Sequence, residues 1–317
     1  GKYPEPAKSR LLINESVTGQ GPKLVEAADA VAQSLQAAGL VTGALWSDAD
    51  NDGWVDLFVT CEWGPVKYFH NRNGILEERT EQAGLAHFLG WWNAIAGADI
   101  DRDGDIDYAV ANFGLNTKYH ASVEKPCLLF YGDYAGDGKK SLVEAKYENN
   151  VLLPVRGKSC STSAMPHLAK RFDSFHKFAS APLPEIYSPA TLEHSLKLSA
   201  NTLESGLLIN DGTGRFQFKP LPLLAQVSPG FGLCFLDADA DGITDLFIAQ
   251  NFFGPQFETG PFAGGLSVLL LGNGKGEFSP LSPDRSGIVI PGDATAATVT
   301  DFNGDGWLDL AVAQNNG

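Results

Sequence analysis

A nine-residue pattern, Asp-x-Asp/Asn-x-Asp-Gly-x-x-Asp followed by an apolar run, recurs four times and limits what this chain can become. The first copy is Asp48-Ala49-Asp50-Asn51-Asp52-Gly53-Trp54-Val55-Asp56, then Leu57-Phe58-Val59. The second is Asp99-Ile100-Asp101-Arg102-Asp103-Gly104-Asp105-Ile106-Asp107, then Tyr108-Ala109-Val110. The third is Asp237-Ala238-Asp239-Ala240-Asp241-Gly242-Ile243-Thr244-Asp245, then Leu246-Phe247-Ile248. The fourth is Asp301-Phe302-Asn303-Gly304-Asp305-Gly306-Trp307-Leu308-Asp309, then Leu310-Ala311-Val312. A fifth stretch, from Asp133 to Ser141, keeps only Asp133 and Asp137 of the set.

Carboxylates at alternate positions of a loop point to a hard cation held by oxygen. An EF-hand would need a bidentate Glu at the twelfth position and a helix on each side. Here the twelfth positions are Val59, Val110, Ile248 and Val312, each inside a strand-like run. The remaining reading is a Ca²⁺ loop that closes a β-hairpin, with about four ions in all. Its ligands are Asp48, Asp50, Asp52 and Asp56; Asp99, Asp101, Asp103 and Asp107; Asp237, Asp239, Asp241 and Asp245; Asp301, Asn303, Asp305 and Asp309. The carbonyls of Trp54, Asp105, Ile243 and Trp307 complete the shells. Ordinary acidic turns would need no ion, but one spacing repeated before four apolar strands disfavours them. The Asp133 loop is expected to be weak or empty.

A second pattern follows most loops: an apolar run, an Asn/Gly turn, and a strand that opens on an apolar residue. Examples are Tyr68-Phe69-His70-Asn71-Arg72-Asn73-Gly74-Ile75 and Leu207-Leu208-Ile209-Asn210-Asp211-Gly212, with a third at Leu269-Leu270-Leu271-Gly272-Asn273-Gly274. Such turns between β-rich runs are hairpin signals. For the first unit the strands fall near 44–47, 56–60, 67–70 and 75–79. Four-stranded units at this spacing predict an all-β fold, a β-propeller with calcium-binding hairpin loops. Five blades can be counted, and the long interval between Asp133 and Asp237 leaves room for up to seven. The whole of 1–317 is expected to be one such domain, with residues 11–14 closing the last blade beside 310–314.

These loops resemble the FG-GAP/VCBS repeat family, the calcium-loop propellers also seen in integrin α-chain heads. Asn112-Phe113-Gly114 and Asn251-Phe252-Phe253-Gly254-Pro255 look like its Phe-Gly element. Gly90-Trp91-Trp92-Asn93 is similar to segments of the bacterial ASPIC/UnbV type. The resemblance implies a calcium-stabilised, integrin-like propeller that works in adhesion or binding outside the cytoplasm. Its location would be extracellular, at the cell surface or periplasmic.

Residues 150–203 break the rhythm and read as a partly helical insert. Met165, Leu168, Phe172, Phe175 and Phe178 recur at helical spacing, with Pro166 suited to a first turn. His167, Lys170, Arg171, His176 and Lys177 make a basic spot that reads as a lid, a docking site, or simply a solvated helix face. Trp63, Trp91 and Trp92 offer either a sugar-stacking surface or packing between blades.

Net charge of −15 opposes nucleic acid and anionic membranes as partners. Apolar runs such as Leu269-Leu270-Leu271 fall far short of the ~20 residues that span a bilayer, so no membrane insertion is expected. The four cysteines form no CxxC pair, and their pairing stays open. The chain opens on Gly1 with no signal peptide, which suggests excision from something longer. No nucleophile elbow, HExxH or P-loop is present. The chain therefore reads as a non-enzymatic module for a protein or glycan ligand. The alternatives are a polysaccharide lyase or hydrolase with its site in the channel, and a structural part of a larger surface protein.

Overall fold

The computed structural model describes residues 3–255 and 259–315. The chain is mostly β and divides into two compact units, one of Gly1–Thr117 with Glu204–Gly317, the other of Lys118–Leu203. Strands are numbered along the chain. Leu12–Asn14 (β1) and Leu24–Glu26 (β2) pair as a short hairpin. Leu40–Ser47 (β3), Asp56–Gly64 (β4), Lys67–Arg72 (β5) and Ile75–Glu78 (β6) form an antiparallel sheet in that order. Gly90–Trp91 (β7) adds a small pairing to β4. Ala94–Ala98 (β8) and Asp107–Ala111 (β9) begin the next sheet.

In the second unit, Cys127–Gly132 (β10), Ser141–Glu148 (β11), Val151–Pro154 (β12) and Leu196–Ala200 (β13) make a sheet of order β12-β11-β10-β13. Gly206–Asn210 (β14) and Phe216–Pro220 (β15) then complete the sheet begun by β8 and β9, in the order β15-β14-β9-β8. Gly230–Leu236 (β16), Asp245–Gln250 (β17), Val268–Gly272 (β18) and Phe278–Leu281 (β19) form a sequential sheet. Asp293–Thr300 (β20) pairs with Asp309–Asn315 (β21).

The apolar runs after the acidic loops explain why these sheets stack within the first unit. Strands β4, β9 and β17 are buried along almost their whole length, so both faces of each need cover. Phe58 and Tyr68 pack with Tyr108, Val110, Leu208 and Phe216 of the following sheet. Ala109 and Leu207 on the opposite face pack with Leu246, Ile248 and Leu270. Phe247, Ala249 and Leu269 in turn meet Ala294, Ala297 and Val312.

Four sequence expectations change here. The long interval before Asp237 does not hide a further blade among the described residues. Its hairpin, β14–β15, is the outer half of the second sheet, and the inserted unit separates the two halves in sequence. The expected insert at 150–203 lies inside that unit, which begins earlier, at Lys118.

The N-terminal strands do not join the last sheet. β1 pairs with β2, while β21 pairs with β20. Ala32, Leu35 and Ala38 instead cover Leu57, Val59, Cys61 and Phe69 on the open face of the first sheet, with Leu11 packed against them. A nearby apolar face wins over a pairing that would close a loop of most of the chain, since closure entropy grows with length.

The single amphipathic helix breaks into Leu168–Arg171 and Phe175–Ala179. Pro166 disfavours helical backbone at Met165, which sits at φ −133°, ψ 79°. Phe172 is extended as well, and Ser174 caps the next helix by accepting from the Lys177 amide. Met165, Leu168, Phe172 and Phe178 are buried as their spacing required, whereas Phe175 faces solvent.

Candidate metal centres in the acidic loops

Each acidic loop links adjacent antiparallel strands: β3 to β4, β8 to β9, β10 to β11, β16 to β17 and β20 to β21. A shared hydrogen-bond frame shapes them. The first Asp accepts from the glycine amide five residues on: Gly53 to Asp48 at 3.0 Å, Gly104 to Asp99 at 3.2 Å, Gly242 to Asp237 at 2.9 Å, and Gly306 to Asp301 at 2.9 Å. The third accepts from the amide two residues on: Trp54 to Asp52, Asp105 to Asp103, Ile243 to Asp241, and Trp307 to Asp305. The glycine has positive φ in every copy, from 76° to 98° in the four full loops, which is why the pattern demands it there. The residue two before it is also left-handed at Asn51, Arg102 and Ala240, with φ of 55°, 67° and 57°.

The last Asp is a clasp. Asp56, Asp107 and Asp245 are at most 2% exposed. In each, Oδ2 accepts from the second residue of its own loop: Ala49 at 3.2 Å, Ile100 at 3.4 Å and Ala238 at 2.9 Å. Oδ1 accepts from the turn of the next hairpin: Asn71 at 2.7 Å, Asn210 at 2.7 Å and Gly272 at 2.9 Å. The two sequence patterns are thus one device, with the Asn/Gly turn seated on the loop's final carboxylate. Asp309 keeps only the first of these bonds among those described, from Phe302 at 2.9 Å.

Three loops gather carboxylates tightly enough to hold one ion. Asp48, Asp50 and Asp52 form such a group, as do Asp99, Asp101 and Asp107, and Asp237, Asp239 and Asp245, with ligand atoms within 4.8 Å of one another. Oδ1 atoms of Asp48, Asp50 and Asp237 are buried without any hydrogen-bond partner. Buried polar atoms are normally satisfied, so these oxygens fit a cation in the loop. Burial pushes the Asp50, Asp101 and Asp245 carboxyls up, with neighbouring Asp charges adding to it. Burial pushes Asp107 up to about 6, against the opposing amide of Asn210. A divalent ion would remove that like-charge cost.

The fourth loop is arranged differently. Asn303 donates to Asp305 at 2.9 Å, and Asp301, Asp305 and Asp309 form no such group among the described residues. In the Asp133 loop, four backbone amides from Ala135, Gly136, Asp137 and Gly138 already satisfy the single Asp133 carboxylate and hold its pKa down. Asp103 and Asp241 lie on loops with a compact group but outside it. Asp105 turns its carboxylate to Asn51.

Sequence reasoning quoted several residues of these motifs without the bonds they make. Asn51 donates to Asp105, and the Arg102 guanidinium donates to the Gly242 carbonyl, so the fourth residues of the first two loops tie each to the next. At the other strand end, Asn112 accepts from the amides of Trp91 and Phe113, and Asn251 binds the carbonyls of Gly265, Pro291 and Gly292. The Phe-Gly element is therefore structural here. A Cβ on Gly114 would lie 2.7 Å from the Gln226 carbonyl oxygen.

The sugar-stacking reading of the tryptophans fails on burial. Trp63, Trp91 and Trp92 are 8%, 6% and 1% exposed. Trp63 lies edge-on to Trp91, and Trp91 to Phe113. Within the basic spot, Arg171 stays exposed and charged while its guanidinium donates to the carbonyls of Glu185 and Ile186. Cys61, Cys127 and Cys234 are buried thiols. Among the described residues no helix is long and apolar enough to cross a membrane.

The FG-GAP-like repeat family matches residues 48–110 and 261–312, stretches that hold the first, second and fourth loops. No curated protein matches the chain.

Proposed function

We propose that this FG-GAP repeat protein is a calcium-stabilised, β-propeller-type module that works outside the cytoplasm and binds a protein or glycan partner, with no chemistry of its own. The observation that carries the reading is the set of buried, partnerless oxygens on Asp48, Asp50 and Asp237 inside loops that backbone amides already shape. All-oxygen donors on flexible loops favour Ca²⁺ over octahedral Mg²⁺. The ion's part is to neutralise clustered carboxylates and lock each strand pair to the hairpin behind it. Extracellular modules can use sites with dissociation constants of about 10⁻⁴–10⁻³ M, which cytosolic calcium would leave empty.

Thermal melting with calcium and with excess EGTA tests this. Ions that bind only the folded state add about 2.7 kcal/mol per site at 100-fold saturation, so the melting temperature should drop clearly in EGTA. An unchanged value would refute structural calcium and the extracellular assignment that depends on it. Capture of partners on glycan and protein panels, with and without calcium, tests the binding role.

A further inference from the structure

The first loop differs from its sisters in one neighbour. The residue just before the turn that seats on the clasp is Ile209 in the second sheet and Leu271 in the third, but His70 in the first. The His70 side chain is only 7% exposed. Its Nδ1 lies 3.3 Å from Oδ2 of Asp50 and 3.3 Å from Oδ1 of Asp56, yet it has no hydrogen-bond partner. Asp50, Asp56 and His70 form a second compact group that shares Asp50 with the Asp48–Asp52 cluster.

We propose that this group is a mixed nitrogen–oxygen site for a borderline divalent transition cation of the zinc class, held by His70 Nδ1 with one oxygen each from Asp50 and Asp56. An imidazole nitrogen suits zinc and its neighbours, whereas calcium takes oxygen ligands. A buried ring nitrogen facing two carboxylates without a hydrogen bond is costly unless something stands between them. A cation there accepts all three lone pairs. Asp56 is already oriented for this by Ala49, Asn71 and the Tyr68 hydroxyl, which donates at 2.8 Å. Such outer partners hold a ligand in place for its metal. The second and third loops, lacking the histidine, stay all-oxygen.

This inference rests on the reading of the acidic loops as cation sites, and its test separates the two. The full chain is stripped of metal, then offered Zn²⁺ in the presence of excess Ca²⁺, and bound zinc and calcium are counted. X-ray absorption at the zinc edge reads the ligand shell. The expected result is one equivalent of zinc with an imidazole nitrogen at about 2.0–2.1 Å. His70→Leu, the residue type of a sister strand, should weaken zinc binding about tenfold or more while calcium bound elsewhere is unchanged. Zinc held equally well by H70L, an oxygen-only shell, or no retained zinc would overturn the proposal. Zinc bound through His70 with no calcium bound anywhere would support it while refuting the calcium reading. If H70L does not fold, the absorption spectrum of the unaltered chain decides.

Discussion

The Asn51 side-chain amide donates to Oδ1 of Asp105 across 2.5 Å, joining the fourth residue of one acidic loop to the seventh of the next. Asn51 holds the left-handed conformation, φ 55°, that Arg102 and Ala240 share at the same loop position. Arg102 repeats the arrangement toward Gly242, so the first three loops form a chain and not isolated turns.

That bond predicts an energetic coupling between loops. A double-mutant cycle with Asn51→Gly and Asp105→Ala should give a coupling of about 0.5–1 kcal/mol, the low end of the range for residues in contact, because solvent screens this exposed bond. Glycine avoids adding strain at a left-handed position. Strict additivity of the two single changes in melting experiments would show that the contact contributes nothing.

The Asp107 carboxyl makes the pH dependence of the metal-free protein unusual. Its pKa is raised to about 6 from 3.8, chiefly by burial. A carboxyl whose folded value lies above its unfolded value stabilises the fold fully below the unfolded value. That contribution disappears as pH rises through the folded value. In EGTA the melting temperature should therefore rise as pH falls from 7 toward 5, and Asp107→Asn should flatten that rise. With saturating calcium the trend should reverse, because protons compete with the ion. A parallel fall in both conditions would contradict the account.

Cys61 and Cys127 report on the two units separately. Burial raises the Cys61 thiol to about 12 and the Cys127 thiol to about 11, so neither is a nucleophile in the closed protein. Cys61 lies on the strand that leaves the first acidic loop, while Cys127 precedes the Asp133 loop, whose carboxylate needs no ion. Chelation should speed thiol labelling at Cys61 several-fold and leave Cys127 nearly unchanged. Equal acceleration at both sites would mean that calcium does not act through the first unit's loops.

The strands of the first unit were legible because their cause is local. Continuous apolar runs after each final Asp predict strands buried on both faces, and β4, β9 and β17 are so buried. The FG-GAP resemblance rested on the same residues and holds. Sequence could not tell that β14–β15 belongs to the sheet of β8–β9, because the intervening unit separates partners such as Leu208 and Tyr108 by most of 100 residues. The helical spacing through Met165 and Phe178 locates a buried face correctly, but Pro166, suited to a first turn, also keeps Met165 before it out of helical backbone. His70 was visible in sequence as a departure from Ile209 and Leu271, yet only the folded register brings it beside Asp50 and Asp56.

Calcium bound per chain is the most direct test of the central claim, measured by elemental analysis after dialysis of metal-free protein into millimolar free calcium. The account predicts at least the ions of the Asp99 and Asp237 loops, with one fewer in Asp237→Ala and no loss in Asp133→Ala. A chain that binds no calcium, or loses as much from Asp133→Ala as from Asp237→Ala, would contradict it.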